Sequence, residues 1–309
     1  MKCSKKMLSL ILAAVMAATL FAGCGTPNAP ADTSTPADST QSDNANDTQA
    51  TALDTDICVI TREDGSGTRS AFTELMGIMV DDVDHTTPSA EVSNSTSVVI
   101  QTVAGNDSAI GYISLGSLSD DVKAVKVDGV EASVEDIKNG TYAVSRPFNI
   151  AVKGELSDIA ADFVSFLMSA DGQAVISEEG YISVDEAAGS YTPANLSGTV
   201  TLAGSTSVAP VMEVLADKYK ELNSSDISIE IQQTGSGAGI TSTIEGACDI
   251  GMSSRDLKDS ELAEGLTPTT IAMDGIAVIV NHNNPVDDLS SEQIMKIFTG
   301  EMTNWSEIG

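Results

Sequence analysis

The chain has 309 residues, of which 41% are apolar and 4% aromatic, and its formal net charge is -30. Such an excess of acid repels nucleic acids and anionic lipid surfaces, so the sequence excludes both as extended partners. It does not exclude a small anion, because a binding site depends on its local hydrogen-bond donors rather than on net charge.

Residues 1–23 have the form of a signal peptide. A short lysine-rich segment precedes an apolar run over 7–21, which is too short to span a bilayer as a stable helix. The run ends in small residues followed by Cys24, which resembles a bacterial lipobox, in which the cysteine receives a diacylglycerol. The alternative is an ordinary secretory signal cleaved after Ala22 or Gly23. Removing the three lysines of this segment, which has no acids, changes the net charge from -30 to -33.

Residues 24–54 are predicted to be a disordered tether that begins at the lipidated Cys24. They are almost entirely small or polar, with no aromatic residue and only Leu53 as a larger aliphatic one. Such a segment buries too little apolar surface to offset the entropy of ordering. We therefore expect a protein anchored by lipid on the extracytoplasmic face of the cell membrane, folded from about Asp54 onward.

In the folded part, short β-branched runs alternate with amphipathic ones. A strand, a glycine- and serine-rich loop and a helix follow one another three times, which predicts an α/β fold with mostly parallel pairing. The predicted strands cover 57–60, 109–113, 148–152, 200–203, 227–231 and 276–280. The predicted helices cover 70–79, 97–104, 156–169, 211–222, a segment from about 240, and 291–298.

Four loops of this fold share one design. They cover 62–69 (REDGSGTR), 204–207 (GSTS), 235–239 (GSGAG) and 249–255 (DIGMSSR). Glycine allows close approach of the backbone, serine and threonine add hydroxyl donors, and helix N-termini offer unpaired amides. Each loop alone is typical of an ordinary cap or turn. Together, and with arginine in two of them, they predict a site for a tetrahedral oxyanion.

Enzyme and metal sites are not indicated. The sequence has no GxxxxGK[ST] and no GxSxG motif, and His85 and His282 lie far apart in polar surroundings. There is no CxxC pair, so neither a metal nor a cofactor is expected. Cys58 and Cys248 could pair in an oxidising compartment or remain as two buried free thiols.

The chain resembles the phosphate-binding proteins of bacterial phosphate ABC transporters. The resemblance covers nearly all of 55–309 and is carried by segments such as AGSTSVAPVME, QTGSGAGI and ITREDGSGTRSAFTEL, with REDGSGTR and NPVDDL…FTGEMTNW the most specific. In the usual order of the family the AGSTSV half precedes the REDGSGTR half, whereas here it follows. This order resembles a circular permutation, and a truncated tandem fusion is the alternative.

The resemblance implies a two-lobed periplasmic-binding-protein fold, type II-like, with the anion between the lobes. One lobe would be continuous over 147–282 and the other split into 55–146 and 283–309, with crossings near 146–148 and 280–284. It also implies the anion ligands, with Asp64 orienting the arginine. These are Thr206, Ser207, Ser236 and Ser254 from one lobe, and Arg62, Ser66, Gly67 and Thr68 from the other.

Ser254 and Arg255 receive separate expectations. Some family members have an aspartate at the position of Ser254, which accepts the proton of bound phosphate and repels sulfate. A serine hydroxyl accepts a hydrogen bond from that proton without the repulsion. Arg255 either contacts the site or pairs with surface acids, and we favour the acids.

The resemblance further implies a non-enzymatic, monomeric solute-binding protein that delivers phosphate to the permease subunits of an ABC importer. Binding of another oxyanion, such as sulfate or molybdate, or of an organic phosphate is an alternative. A surface phosphohydrolase and a sensory or adhesive lipoprotein are further alternatives.

Overall fold

The computed structural model describes residues 53–223 and 226–308. The predicted signal peptide, Cys24 and all but the last two residues of the predicted tether lie outside the described residues. Within those two ranges, no single helix is long and apolar enough to cross a membrane. One pair of helices, Asp158–Leu167 and Ala170–Glu178, meets the length and composition criteria only when taken together across a bend of 57°.

The described residues contain strands at Cys58–Arg62 (β1), Met79–Val80 (β2), Val83–Asp84 (β3), Glu91–Ser93 (β4), Ala109–Ser114 (β5), Lys123–Ala124 (β6), Lys126–Val127 (β7), Ser145–Lys153 (β8), Ile182–Ser183 (β9), Gly198–Gly204 (β10), Ile227–Gln233 (β11), Ile250–Ser253 (β12), Leu266–Val280 (β13) and Asp288–Leu289 (β14). They contain helices at Gly67–Leu75 (α1), Thr96–Ala104 (α2), Val134–Lys138 (α3), Asp158–Leu167 (α4), Ala170–Glu178 (α5), Ala209–Leu222 (α6), Ser236–Ile244 (α7), Asp259–Leu262 (α8) and Ser291–Thr299 (α9). Two short 3₁₀ helices lie at Leu115–Ser117 and Trp305–Glu307.

The main sheet is mixed rather than mostly parallel. Its strands follow the order β11-β10-β12-β8-β13-β5-β1-β4. Pairing is parallel on both flanks, where β10 lies between β11 and β12 and β1 lies between β5 and β4. In the centre, β12, β8, β13 and β5 pair antiparallel. The strand–loop–helix pattern predicts the flanks correctly, because parallel strands need such crossovers. It predicts only residues 148–152 of β8 and 276–280 of β13, and not the full length or the antiparallel pairing of these two central strands.

The buried apolar side chains of the described residues form four clusters, which make up two cores that meet at these central strands. The first core packs on both faces of β1, β5 and the end of β13, around Phe72, Tyr112 and Phe298. The second core packs around Phe163 and Tyr219, against β8, β10, β12 and the start of β13. Burial of apolar surface in each core stabilises the elements that carry the loops.

The second predicted crossing between the lobes is displaced by several residues. Residues 266–275 of β13 pair with β8, and residues 276–280 pair with β5. Ile276, Val278 and Val280 also belong to the first core. The chain therefore passes between the cores at about Gly275, not at 280–284, and the predicted limit at 282 is wrong. A single continuous strand makes the passage, so no turn residues mark it in the sequence.

Two helices begin three or more residues earlier than predicted. Helix α1 begins at Gly67 rather than at 70, after the N-cap Ser66, whose hydroxyl accepts from the amide of Arg69. Helix α7 begins at Ser236 rather than near 240. Glycine and serine lower helix propensity, which makes these first turns read as loops. Both first turns therefore place loop residues at helix N-termini.

The two ends of the folded region lie side by side. The amide of Ile57 donates to the carbonyl of Thr303 at 2.7 Å, and the amide of Trp305 donates to the carbonyl of Thr55 at 3.0 Å. Asp56 and Asn304 form an antiparallel bridge between them. The two cysteines in the described part of the chain are free: Cys58 is half-buried, and Cys248 is buried with its Sγ 3.3 Å from the hydroxyl of Thr243. The interpretation of Cys58 and Cys248 as free thiols is confirmed, but the expected burial holds only for Cys248.

Candidate functional site

Four helix N-termini meet where the two cores face each other. Helices α1 and α2 belong to the first core, and α6 and α7 to the second. They follow β1, β4, β10 and β11, which form the two opposite flanks of the sheet, and contacts such as that between Thr68 and Ser207 bring their ends together. In open α/β sheets, ligands bind outside the carboxyl ends of the strands. Positive helix ends and unpaired amides make this position favourable for an anion.

Arg62, the last residue of β1, lies buried at this position with 2% of its side chain exposed. Its Nε and Nη2 atoms donate to the two carboxylate oxygens of Glu63 at 2.8 and 2.9 Å. Nη2 also donates to the hydroxyl of Thr206 on the second core at 3.1 Å. The hydroxyl of Tyr112 accepts from the Arg62 amide at 3.2 Å, which fixes the backbone at the end of β1.

The expected orienting residue for Arg62 is therefore wrong. Asp64 is exposed, and its carboxylate accepts from the Gly65 amide at 3.0 Å. The carboxylate of the preceding residue, Glu63, pairs with the Arg62 guanidinium instead. Alternate residues of a strand point to opposite sides, but Glu63 and Asp64 lie beyond the end of β1. Their spacing alone therefore does not determine which carboxylate binds the Arg62 guanidinium.

Hydroxyl groups of the two cores contact each other directly. The Thr68 hydroxyl lies 2.9 Å from that of Ser207. The Thr96 hydroxyl, at the start of α2, lies 3.3 Å from that of Thr206 and 3.2 Å from that of Ser207. All of these side chains are 5% exposed or less. Three of these four, Thr68, Thr206 and Ser207, are site residues predicted from the sequence.

The remaining predicted residues form a second group of contacts. The hydroxyls of Ser236 and Ser254 are 3.4 Å apart, and the Ser254 amide donates to the Ser236 hydroxyl at 3.2 Å. Gly67 packs directly against both, since a Cβ atom on Gly67 would lie 2.5 Å from the Ser236 Oγ and 2.7 Å from the Ser254 Oγ. Next to it, the Gly237 amide donates to the Gly65 carbonyl at 2.9 Å. The structure thus brings together residues far apart in sequence.

Ser66 and Arg255 are placed differently. Ser66 is buried, but its hydroxyl caps α1. Arg255 turns away to Glu261, with Nη2 to Oε1 at 2.7 Å and Nη1 to Oε2 at 2.9 Å. The expectation that Arg255 pairs with an acid is confirmed.

Sequence reasoning missed Thr96. The segment Ser93 to Ser97 has the serine- and threonine-rich composition of the other loops and precedes a helix, and the Ser95 hydroxyl caps α2. It has neither glycine nor arginine, which are the features that distinguish the four predicted loops. A search for Ser/Thr clusters before helices would have found it.

The site is rich in hydrogen-bond donors and poor in charged acceptors. Its side chains supply the Arg62 guanidinium and the hydroxyls of Thr68, Thr96, Thr206, Ser207, Ser236 and Ser254. The carboxylate in these contacts is that of Glu63, and Arg62 occupies both of its oxygens. In the described part of the chain, no group of three or more His, Cys, Asp or Glu side chains is arranged to hold a metal ion. This arrangement can bind an oxyanion by hydrogen bonds.

The chain is similar to known proteins over most of its length. The PBP superfamily domain matches residues 4–171 and 189–309. Phosphate-binding protein PstS 2 of Streptococcus agalactiae serotype V is 45% identical over 310 residues, which cover 98% of each chain. Because one alignment covers both chains, their segments have the same order. Phosphate-binding protein PstS of Bacillus subtilis is 37% identical over 115 residues, 37% of this chain and 38% of the relative.

A solved structure is similar as well. It is a crystal structure of a phosphate-binding protein of a phosphate ABC transporter from Streptococcus pneumoniae, and it is 44% identical. The match covers 82% of this chain and 100% of that chain, with a TM-score of 0.66. The predicted α/β periplasmic-binding-protein fold is thereby confirmed. The chain belongs to the PBP superfamily and, within it, to the phosphate-binding proteins of bacterial phosphate ABC transporters.

Proposed function

We propose that the chain binds inorganic phosphate between its two cores and presents it to the permease subunits of an ABC importer. The main support for the proposal is that Arg62 and six hydroxyl side chains lie together beside four helix N-termini. Hydroxyls that contact each other across the cores would exchange those contacts for phosphate oxygens. The names of the S. agalactiae and S. pneumoniae relatives support phosphate as the ligand.

The proposed motion is the hinge closure of a binding protein, with β8 and β13 as the crossing strands. Residues 55–144 and 276–308 would form one lobe, and residues 148–272 the other. The lobes would open to admit the anion and close to bury it. A monomer suffices for this task, because both sides of the site come from one chain.

The experiment that tests the function is titration calorimetry of the purified extracytoplasmic part with inorganic phosphate. Several charge-assisted hydrogen bonds at about 1.5–3 kcal/mol each correspond to micromolar or tighter affinity after the cost of closure. We expect one site per chain. Failure to bind phosphate at millimolar concentration would overturn the proposal.

Selectivity against sulfate is expected to be modest. The proton of hydrogen phosphate needs an acceptor, and the site offers hydroxyl oxygens such as that of Ser254 rather than a free carboxylate. A hydroxyl oxygen accepts a hydrogen bond from this proton but does not repel the unprotonated sulfate dianion. Competition by sulfate and by molybdate in the same calorimeter measures the preference, and equal affinities would show a general oxyanion-binding protein.

We propose that the protein is not an enzyme. Hydrolysis of a phosphate ester needs an activated nucleophile, and Arg62 and the hydroxyls lack a neighbouring base in the contacts described above. Assay with p-nitrophenyl phosphate should give no turnover above the buffer rate. Turnover that is lost when Arg62 is replaced would favour the phosphohydrolase alternative.

We also propose that the mature protein is extracytoplasmic and held at the membrane by lipid on Cys24. The proposal rests on the lipobox-like sequence, and a small-residue tether would allow the folded part to reach a permease. A Cys24→Ser variant is expected to appear in the culture medium instead of the membrane fraction. Retention of that variant in the membrane would contradict the anchor.

We propose, finally, that the segment order is a circular permutation. Two observations support it. Residues 55–57 and 303–305 are hydrogen-bonded neighbours, as expected if they were once continuous. The B. subtilis protein matches over about a third of each chain. This is expected if the two halves have opposite orders in the two proteins, because a single alignment can then cover only one half.

The permutation predicts that the chain tolerates reordering. A variant that starts at 196, runs to 308, continues directly into 55 and ends at 187 should fold and bind phosphate within about threefold of the natural order. Circular dichroism and calorimetry measure both properties. A reordered chain that is unfolded would contradict the permutation and favour a truncated tandem fusion.

A further inference from the structure

Arg146 and Asp274 form a buried ion pair where the chain passes between the two cores. They lie on β8 and β13 and are directly opposite each other in the antiparallel register. Their side chains are 2% and 1% exposed, and Nη2 of Arg146 lies 3.2 Å from Oδ2 of Asp274. Neither residue was among the predicted ligands. Breaking such a pair is costly in stability, but its presence alone does not explain why it lies here.

Asp274 links the pair to the first core. Its Oδ1 atom accepts from the hydroxyl of Ser114, the last residue of β5, at 2.9 Å. Burial raises the pKa of the Asp274 carboxyl to about 6, although Arg146 and Ser114 act to lower it. The carboxylate is therefore held between a strand of the first core and the guanidinium on β8.

Arg146 links the pair to the anion site. Its Nη1 atom donates to the carbonyl of Ser254 at 3.2 Å, and its guanidinium lies over the ring of Phe148, 5.3 Å from the centroid. The Ser254 amide in turn donates to the Ser236 hydroxyl, and the Ser254 side chain lies against Gly67. One hydrogen bond thus separates Arg146 from a predicted ligand.

We propose that Arg146 is a positioning residue: held by Asp274, its guanidinium fixes the Ser254 peptide and so places the Ser254 hydroxyl opposite Gly67 for closure on the anion. The proposal rests on the proposed function. A guanidinium suits this role because its planar fork donates in two directions at once, toward Asp274 and toward the Ser254 carbonyl. A lysine keeps the charge but not the fork.

The test compares Arg146→Met and Arg146→Lys with Arg255→Met by phosphate calorimetry and thermal unfolding. Arg255 is a matched control because it adjoins Ser254, is 7% exposed and pairs with Glu261, but its side chain donates to other partners. We expect phosphate affinity to fall about tenfold or more in Arg146→Met and at least fivefold in Arg146→Lys. Arg255→Met should lower the melting temperature and change affinity by less than twofold.

A double-mutant cycle with Ser254→Ala separates positioning from general stability. If Arg146 acts by placing Ser254, the loss caused by Arg146→Lys should be at least threefold smaller once the Ser254 hydroxyl is gone. Independent effects, or equal losses in the Arg146 and Arg255 variants, would overturn the proposal.

If Arg146→Met does not fold, Arg146→Lys decides by the same criteria. If the unmodified chain does not bind phosphate, the proposed function fails as well. If it binds and Arg146→Lys binds equally well, only this inference fails.

Discussion

Replacement of Arg62 by methionine is expected to weaken phosphate binding by at least about a hundredfold. Arg62 is the guanidinium that contacts both sides of the site, through Glu63 and through Thr206. Loss of two charge-assisted hydrogen bonds to the anion, at about 1.5–3 kcal/mol each, corresponds to roughly a hundredfold or more. Methionine retains much of the buried volume, so the effect falls mainly on binding. Calorimetry with inorganic phosphate measures it.

The structure makes methionine a better test than alanine. Arg62 is buried, and alanine would leave a cavity next to Thr96 and Thr206, which would lower stability together with affinity. Arg255→Met is again the matched control, because it removes a buried arginine that pairs with an acid away from the site. An Arg62→Met chain that is folded and binds phosphate within fivefold of the unmodified chain would contradict the assigned role.

Replacement of Gly67 by alanine is expected to weaken phosphate binding by about tenfold to a hundredfold without loss of stability. The added Cβ would lie 2.5 Å from the Ser236 Oγ and 2.7 Å from the Ser254 Oγ, closer than such atoms approach. The two sides of the site would have to separate, which opposes closure. Gly67 is the first residue of α1 and does not have a positive φ, so its backbone conformation accepts alanine without strain. Affinity should therefore fall without a matching loss of stability.

The control for this substitution is Gly189→Ala. Nothing lies within 4 Å of a Cβ built at Gly189, and its backbone does not have a positive φ. Gly189→Ala should leave phosphate affinity unchanged. Small-angle scattering adds a second measurement, because phosphate should compact the Gly67→Ala chain less than the unmodified chain. Equal affinity of the two glycine variants would show that close packing at Gly67 is not required for binding.

Local sequence determined the chemistry and the outer parts of the sheet. Glycine, serine and threonine before apolar runs identify helix N-termini, and four such loops, two with arginine, indicate an anion site. Their residues Arg62, Thr68, Thr206 and Ser207 do lie together in the structure. The parallel flanks follow from strand–loop–helix alternation, because that connection is the one that places neighbouring strands parallel.

Only the tertiary structure decided how the two halves are joined. β13 is one strand of 15 residues that pairs with β8 in one half and with β5 in the other, and its first part contains Pro268, which is uncommon in a central strand and weakens the strand pattern. The choice of Glu63 over Asp64 as the partner of Arg62, and the contact of Arg146 with Ser254, depend on backbone direction and on residues more than a hundred positions away. Local propensity carries no information about such pairs, because the free energy that selects them arises only when the two cores pack.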